Sequence, residues 1–99
     1  MIFEIAHIHI KSATHAAFEA AVADAVPLFR RAAGCLSMAL ERSIEHGDHY
    51  RLVVGWQTLE NHTVDFRGSA DFLEWRRLVG GFFEAPPQVE HMNTVLTGF

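Results

Sequence analysis

The stretch Tyr50-Arg51-Leu52-Val53-Val54-Gly55-Trp56 puts Tyr50, Leu52, Val54 and Trp56 on one face at a period of two, which an extended strand satisfies and a helix does not. The pattern then changes at once. Thr58 and Ser69 are helix-start residues, and each has an acid in the following turn, Glu60 and Asp71, to meet the positive helix end. Trp56, Asn61, His62, Phe66, Phe72 and Trp75 are therefore expected to converge where this strand gives way to helix.

The first half of the chain supplies a matching unit. Residues 2–10 alternate, with Phe3, Ile5, His7 and His9 on one face and Ile2, Ala6, Ile8 and Ile10 on the other. A strand apolar on both sides is central in its sheet. Ser12 or Thr14 can cap the next helix, whose stripe of Ala17, Phe18, Ala21, Val22, Ala25, Leu28 and Phe29 runs until Gly34, with Pro27 as an expected kink. Leu36, Met38, Leu40, Arg42 and Ile44 then alternate with Ser37, Ala39, Glu41, Ser43 and Glu45, and His46-Gly47-Asp48 is a hairpin turn. Gly80-Gly81 stops the second helical region, and Ala85-Pro86-Pro87 leads into a last strand from Gln88 to about Thr97.

The order β-α-β-β-α-β follows, as a single domain over residues 1–99. Its class is α+β, ferredoxin-like: a four-stranded antiparallel sheet with helices on one face. Two helical segments cover one sheet face, yet the strands carry apolar residues on both. A second copy of the chain, packed sheet to sheet, covers the other face most economically, so a homodimer is expected. A domain of this length buries only roughly 65% of its unfolded surface, and a partner adds core.

Composition removes several classes of function. Eight Lys and Arg against twelve Asp and Glu give a net charge of -4, without the basic stripe that nucleic acid demands. No apolar run approaches the ~20 residues of a membrane span, and Met1-Ile2-Phe3-Glu4 lacks a basic leader, so no membrane association and a cytoplasmic location are expected. Cys35 is the only cysteine and reads as a buried thiol on a strand. Seven histidines invite a metal, but His7 and His9 share a strand face that offers no carboxylate. His91 neighbours them only if the last strand pairs with the first. His15, His46 and His49 fall at a helix start and a hairpin turn, where exposure accounts for them, and no metal site is expected. Gly-rich phosphate loops, nucleophile elbows and helical zinc motifs are absent.

Trp56, His62, Phe66, Ser69 and Phe72, in that order after a strand, resemble the antibiotic biosynthesis monooxygenase family of dimeric α+β barrels, and Pro87-Gln88-Val89-Glu90-His91-Met92 resembles that family's last strand. The resemblance implies a barrel-like dimer, with Val95-Leu96-Thr97-Gly98-Phe99 reaching across to the partner. It also implies oxygenation of an electron-rich aromatic, quinol-like or anthrone-like, by O2 without flavin, haem or metal. Such chemistry needs a base titrating near neutral pH, donors for an enolate oxygen and a dry aromatic pocket. On that basis His62 is expected to be the base or proton shuttle and Asn61 the oxyanion donor. Trp56, Phe66, Phe72 and Trp75 would be the pocket walls, with Arg76 stabilising an anion. Arg76 and Arg77 are adjacent, so at most one faces a pocket. A packing role also fits Phe72, Trp75, Val79 and Phe82.

Two other readings share the scaffold. Haem degradation in similar proteins uses an Asn on the first strand, a Trp on the middle helix and a His on the next; here His7, Phe66 and Arg76 stand near those places, which disfavours it. The second is a non-catalytic dimeric module that binds a small ligand or serves a stress response, since fold does not fix function.

Overall fold

A computed structural model describes residues 1–99. Strand β1 (Ile2–His9) is followed by helix α1 (His15–Arg30), strands β2 (Cys35–Arg42) and β3 (His49–Trp56), a π-helical turn (Asn61–Phe66), helix α2 (Ala70–Val79), a 3-10 turn (Gly80–Phe82) and strand β4 (Gln88–Met92). The sheet order is β2-β3-β1-β4, with every neighbouring pair antiparallel. This is the ferredoxin-like α+β arrangement, and β1 is central because it pairs with both β3 and β4. No helix is long and apolar enough to cross a membrane.

Alternation sorts the side chains of β1 onto two faces. Glu4, Ala6 and Ile8 point to the helical layer with Tyr50, Leu52, Val54 and Trp56 of β3, and all are buried. Phe18, Val22, Ala25, Leu28 and Phe29 of α1 and Trp75 and Val79 of α2 close the core over them. Phe29 meets Trp75 edge-on, with ring centres 5.0 Å apart, so the two helices share an aromatic contact. Arg31 grips Asp71 with two hydrogen bonds of 2.7 Å and ties the end of α1 to the start of α2. Phe3, Ile5, His7, Ala39, Arg51 and Val53 occupy the opposite sheet face, away from the helical core; of these only Ile5 is buried.

Four local expectations change. The last strand stops at Met92, not near Thr97, because its pairing with β1 ends at Phe3–Met92, one residue from the start of β1. Leu36 is exposed: a bulge sets Cys35 opposite Trp56 and Ser37 opposite Gly55, so Cys35 takes the inward place that unbroken alternation assigns to Leu36. Thr14 occupies the first helix boundary, but its hydroxyl donates back to the Lys11 carbonyl at 2.7 Å and caps no helical N–H. His15, at that boundary, is partly buried and lies 2.8 Å from the Gly47 carbonyl oxygen and 3.0 Å from Asp48, bracing the β2–β3 turn.

Candidate active site

Most of the candidate residues are placed by the segment after β3. Thr58 and Asn61 form a reciprocal cap: the Asn61 N–H donates to the Thr58 hydroxyl, and the Thr58 N–H donates to the Asn61 side-chain oxygen at 3.0 Å. A wide turn follows, closed by the Arg67 N–H donating to the His62 carbonyl at 3.1 Å. Its extra width aims both His62 and Phe66 inward. Ser69 then starts α2, its hydroxyl oxygen accepting from the Phe72 N–H at 3.1 Å, as the sequence predicts.

His62 is only 2% exposed and stacks on Trp56, with ring centres 5.4 Å apart and planes 19° apart. Its Nε2 lies 3.3 Å from Oε1 of Glu4, and its Nδ1 lies 2.8 Å from Nε2 of His91. The Trp56 indole N–H donates to the same Glu4 oxygen at 3.1 Å. Glu4, His62 and His91 thus form a line running from the central strand through the π-helical turn to the edge strand, where β4 pairing sets His91 opposite Glu4. The three do not converge on a point, and no group of three ligand-type side chains is placed to hold a metal ion.

Burial shifts the carboxyl and the imidazoles of this line in opposite directions. Burial raises the Glu4 carboxyl above its ordinary range, opposed by the Trp56 hydrogen bond and the positive charge of Arg67. Burial, with Arg67 and His91 adding to it, lowers His62 to about 4. His91 is lowered by burial and by Arg67. Both imidazoles are therefore neutral at pH 7, with one nitrogen of each carrying a proton.

Beside Glu4 and His62 lies a cavity of ≈ 470 Å³, within the range of about 300–1,000 Å³ that small-molecule sites occupy. Ala6, Ile8 and Leu52 form its floor, Phe72, Trp75 and Arg76 one wall, and residues Phe83 to Pro87 its rim. The rim is held to the end of β1: the Lys11 N–H donates to the Phe82 carbonyl at 2.9 Å and the Glu84 N–H to the His9 carbonyl at 2.8 Å. Oε2 of Glu4 makes no hydrogen bond. Since no enclosed side-chain oxygen or nitrogen is left unpartnered, that oxygen opens onto the cavity.

Of the residues singled out from sequence, His62, Phe72, Trp75 and Arg76 line this cavity. Trp56 and Phe66 do not. Both are buried behind His62, where Phe66 packs on Phe29, Trp56 and Phe72. Asn61 does not reach it either: its amide is committed to Thr58 and, through Nδ2, to Asp65 at 3.1 Å. Gly34, at φ 75°, presses against that amide, and a Cβ there would collide with it. Arg77 bonds Glu74, whereas Arg76 lies 6.0 Å from the Phe72 ring centre with no carboxylate in ion-pair reach. His7 and His9 face the other side of the sheet from His91.

Glu4, Arg67 and His91 lie outside the set singled out from sequence. A lone carboxylate inside the apolar alternation Ile2-Glu4-Ala6-Ile8-Ile10 was the available signal for the first. His91 was visible as an alternating histidine, but its face depended on the β4 register. Arg67 carried no signal, being one arginine after a turn.

Residues 1–78 match the family model described as antibiotic biosynthesis monooxygenase. The Bacillus subtilis protein YczJ is 38% identical over 95 residues, spanning 96% of this chain and 100% of its own length. The crystal structure of a Bordetella bronchiseptica protein assigned as an antibiotic biosynthesis monooxygenase superposes with a TM-score of 0.94 at 58% identity, covering 96% of this chain and 97% of that one. SnoaB from Streptomyces nogalater, a cofactor-independent oxygenase, superposes with a TM-score of 0.82 at 14% identity, covering 98% of this chain and 95% of that one, and shares the fold.

Proposed function

Because this chain belongs to the antibiotic biosynthesis monooxygenase family, we propose that it oxygenates an electron-rich aromatic with O2, taking all the electrons from the substrate. The observation that carries the reading is the free Oε2 of Glu4, a carboxylate raised by burial that opens onto an aromatic cavity with neutral His62 behind it. A phenol or activated C–H gives up its proton to this carboxylate, and its electron pair stays on the ring as phenolate or enolate. That anion can donate an electron to triplet O2, which a closed-shell neutral ring does poorly. One oxygen atom ends in the product and the other in water, so the balance needs no added reductant.

The other residues have roles that follow from their placement. His62 serves as proton shuttle, with Glu4 as the group that meets the substrate. Asn61, held in its cap, positions His62 and cannot donate to an oxyanion in the cavity. Arg76, with Arg67, supplies positive charge to the substrate anion. Phe72 and Trp75 hold the planar ring. Trp56 orients Glu4, and Phe66 backs the site.

A second copy of the chain is the natural cover for the face bearing Phe3, Ile5 and Val53, and Val95, Leu96 and Phe99 stand exposed beyond β4, free to meet it. This reading makes the active protein a homodimer, and the single free thiol fits a reducing, cytoplasmic setting.

The test is oxygen consumption by purified, metal-stripped protein on a panel of hydroquinones and anthrones, followed by mass spectrometry of the product made under 18O2. Saturable uptake with one labelled oxygen in the product supports monooxygenation. Uptake at the autoxidation rate, together with saturable quenching of Trp fluorescence by the same compounds, supports the binding module instead.

A further inference from the structure

The line of three ionisable groups is open at both ends. Glu4 Oε2 has no partner in the chain and opens on the cavity. At the other end, Nδ1 of His91 makes no hydrogen bond and, on the same ground, is reached by solvent, His91 being partly exposed on the edge strand. Between the two ends the steps are 3.3 Å and 2.8 Å. The enclosed middle member, His62, has its two ring nitrogens turned one to each neighbour and leaves no room for water between them.

We infer that Glu4, His62 and His91 form a proton wire between the cavity and bulk solvent, and that His91 is its outlet. The inference rests on the oxygenase reading above for its substrate. In the outward passage, a substrate O–H breaks and leaves its electron pair on oxygen, and the proton forms an O–H on Glu4. The carboxyl then turns this O–H toward Nε2 of His62, which starts with its proton on Nδ1; as Nε2 takes the proton, Nδ1 of His62 passes one to Nε2 of His91, and Nδ1 of His91 releases one to water. Each histidine stays neutral and ends as its other tautomer. The net change is one proton moved from substrate to solvent. The inward passage, which supplies a proton when the second oxygen atom leaves as water, restores both tautomers and the Glu4 carboxylate.

The enclosed geometry explains why an outlet is needed. His62 has no water of its own to exchange with, and a protonated Glu4 left in the cavity would return its proton to the phenolate. The 3.3 Å step is of the kind that tightens once substrate fills the site. Arg67, after the π-helical turn, is the charged side chain that acts on all three members of the wire, and Arg76 on α2 and Glu84 on the rim line the cavity into which Glu4 opens. Arg67 disfavours a fixed imidazolium at either histidine, which keeps the wire carrying protons without trapping one. His91 acts through His62 and touches no substrate.

His91→Gln keeps a hydrogen-bonding side chain on an exposed edge strand but cannot relay a proton. With a naphthohydroquinone as probe, its kcat should fall about tenfold, less than the ~10²–10⁴ of a group at the reacting atoms, with KM unchanged. Millimolar imidazole should restore the rate. A wild-type rate in His91→Gln, or a loss that imidazole leaves untouched, overturns the wire. A second measurement needs no substrate: 15N spectra of the ring nitrogens in the wild-type protein should show coupling across the hydrogen bond between His62 and His91. His62 should change tautomer in His91→Gln. Absence of both overturns the wire even if oxygenation is found, whereas their presence with no uptake by the wild-type protein removes the oxygenase reading and leaves the wire standing.

Discussion

Two histidine–glutamate pairs sit on opposite faces of the same sheet, and they differ in almost everything except composition. His7 and Glu90, on the open face, are 3.0 Å apart with side chains 51% and 53% exposed. His62 and Glu4, under the helices, are 3.3 Å apart with side chains 3% and 8% exposed. The outer pair is a solvated contact of the kind worth little to stability or chemistry. Burial moves both inner groups away from their ordinary titration ranges and points a free carboxylate oxygen into an aromatic cavity. The lesson is that the sheet face, set by one step of alternation along β1, decides whether this pairing is solvated or enclosed beside a cavity.

The largest contrast is in activity. His62→Ala should lower substrate-dependent oxygen uptake by about 10²–10⁴-fold, whereas His7→Ala should leave it within about twofold, both read in the same electrode assay. Equal losses would break the comparison.

Stability against pH sharpens it. His62 titrates near 4 when folded and near 6.5 when unfolded. Between those values the unfolded chain takes up a proton that the folded chain refuses. His62 therefore adds full stability above pH 6.5 and progressively less as pH falls toward 4, by up to about 3 kcal/mol. Glu4 works in the opposite sense: its raised carboxyl ionises earlier in the unfolded chain, so its contribution declines as pH rises through its folded pKa. Denaturant unfolding from pH 4 to 8 should show the acid limb flattened in His62→Gln and unchanged in His7→Gln.

The open face has its own signature if it is the dimer surface. Val53→Asp, placing an unpaired charge there, should weaken self-association roughly 100-fold in sedimentation equilibrium, the effect of about 3 kcal/mol. A protein that is monomeric before the substitution would remove the partner from the account. The smallest effect is on the covered side, where Ser69→Ala deletes the α2 cap and should cost about 1 kcal/mol in unfolding free energy, with no change in association.

What could be read in advance follows from which interactions are local. The Tyr50, Leu52, Val54 and Trp56 face and the Ser69 cap depend on residues within a few positions of one another, and all appear as expected. The element order and sheet class follow from those periods. The bulge at Leu36 was hidden because strand register is a property of two strands, and the early end of β4 because it depends on where β1 begins. For the site, His62, Phe72, Trp75 and Arg76 were legible as residue types near a strand-to-helix junction. Asn61 was read as an oxyanion donor, and its amide is held by Thr58 and Asp65; a cap and an oxyanion donor look alike in sequence. Glu4 and His91, 87 positions apart in the numbering, meet only through the pairing of β4 with β1.

The most direct measurement compares Glu4→Gln with Glu90→Gln in oxygen uptake on a hydroquinone that the wild-type protein oxidises. Each substitution removes one carboxylate from a histidine pair on one sheet face and keeps a side chain of the same shape. The account predicts that Glu4→Gln abolishes turnover while still binding the ring in the cavity, and that Glu90→Gln retains the wild-type rate. Wild-type turnover in Glu4→Gln would contradict it.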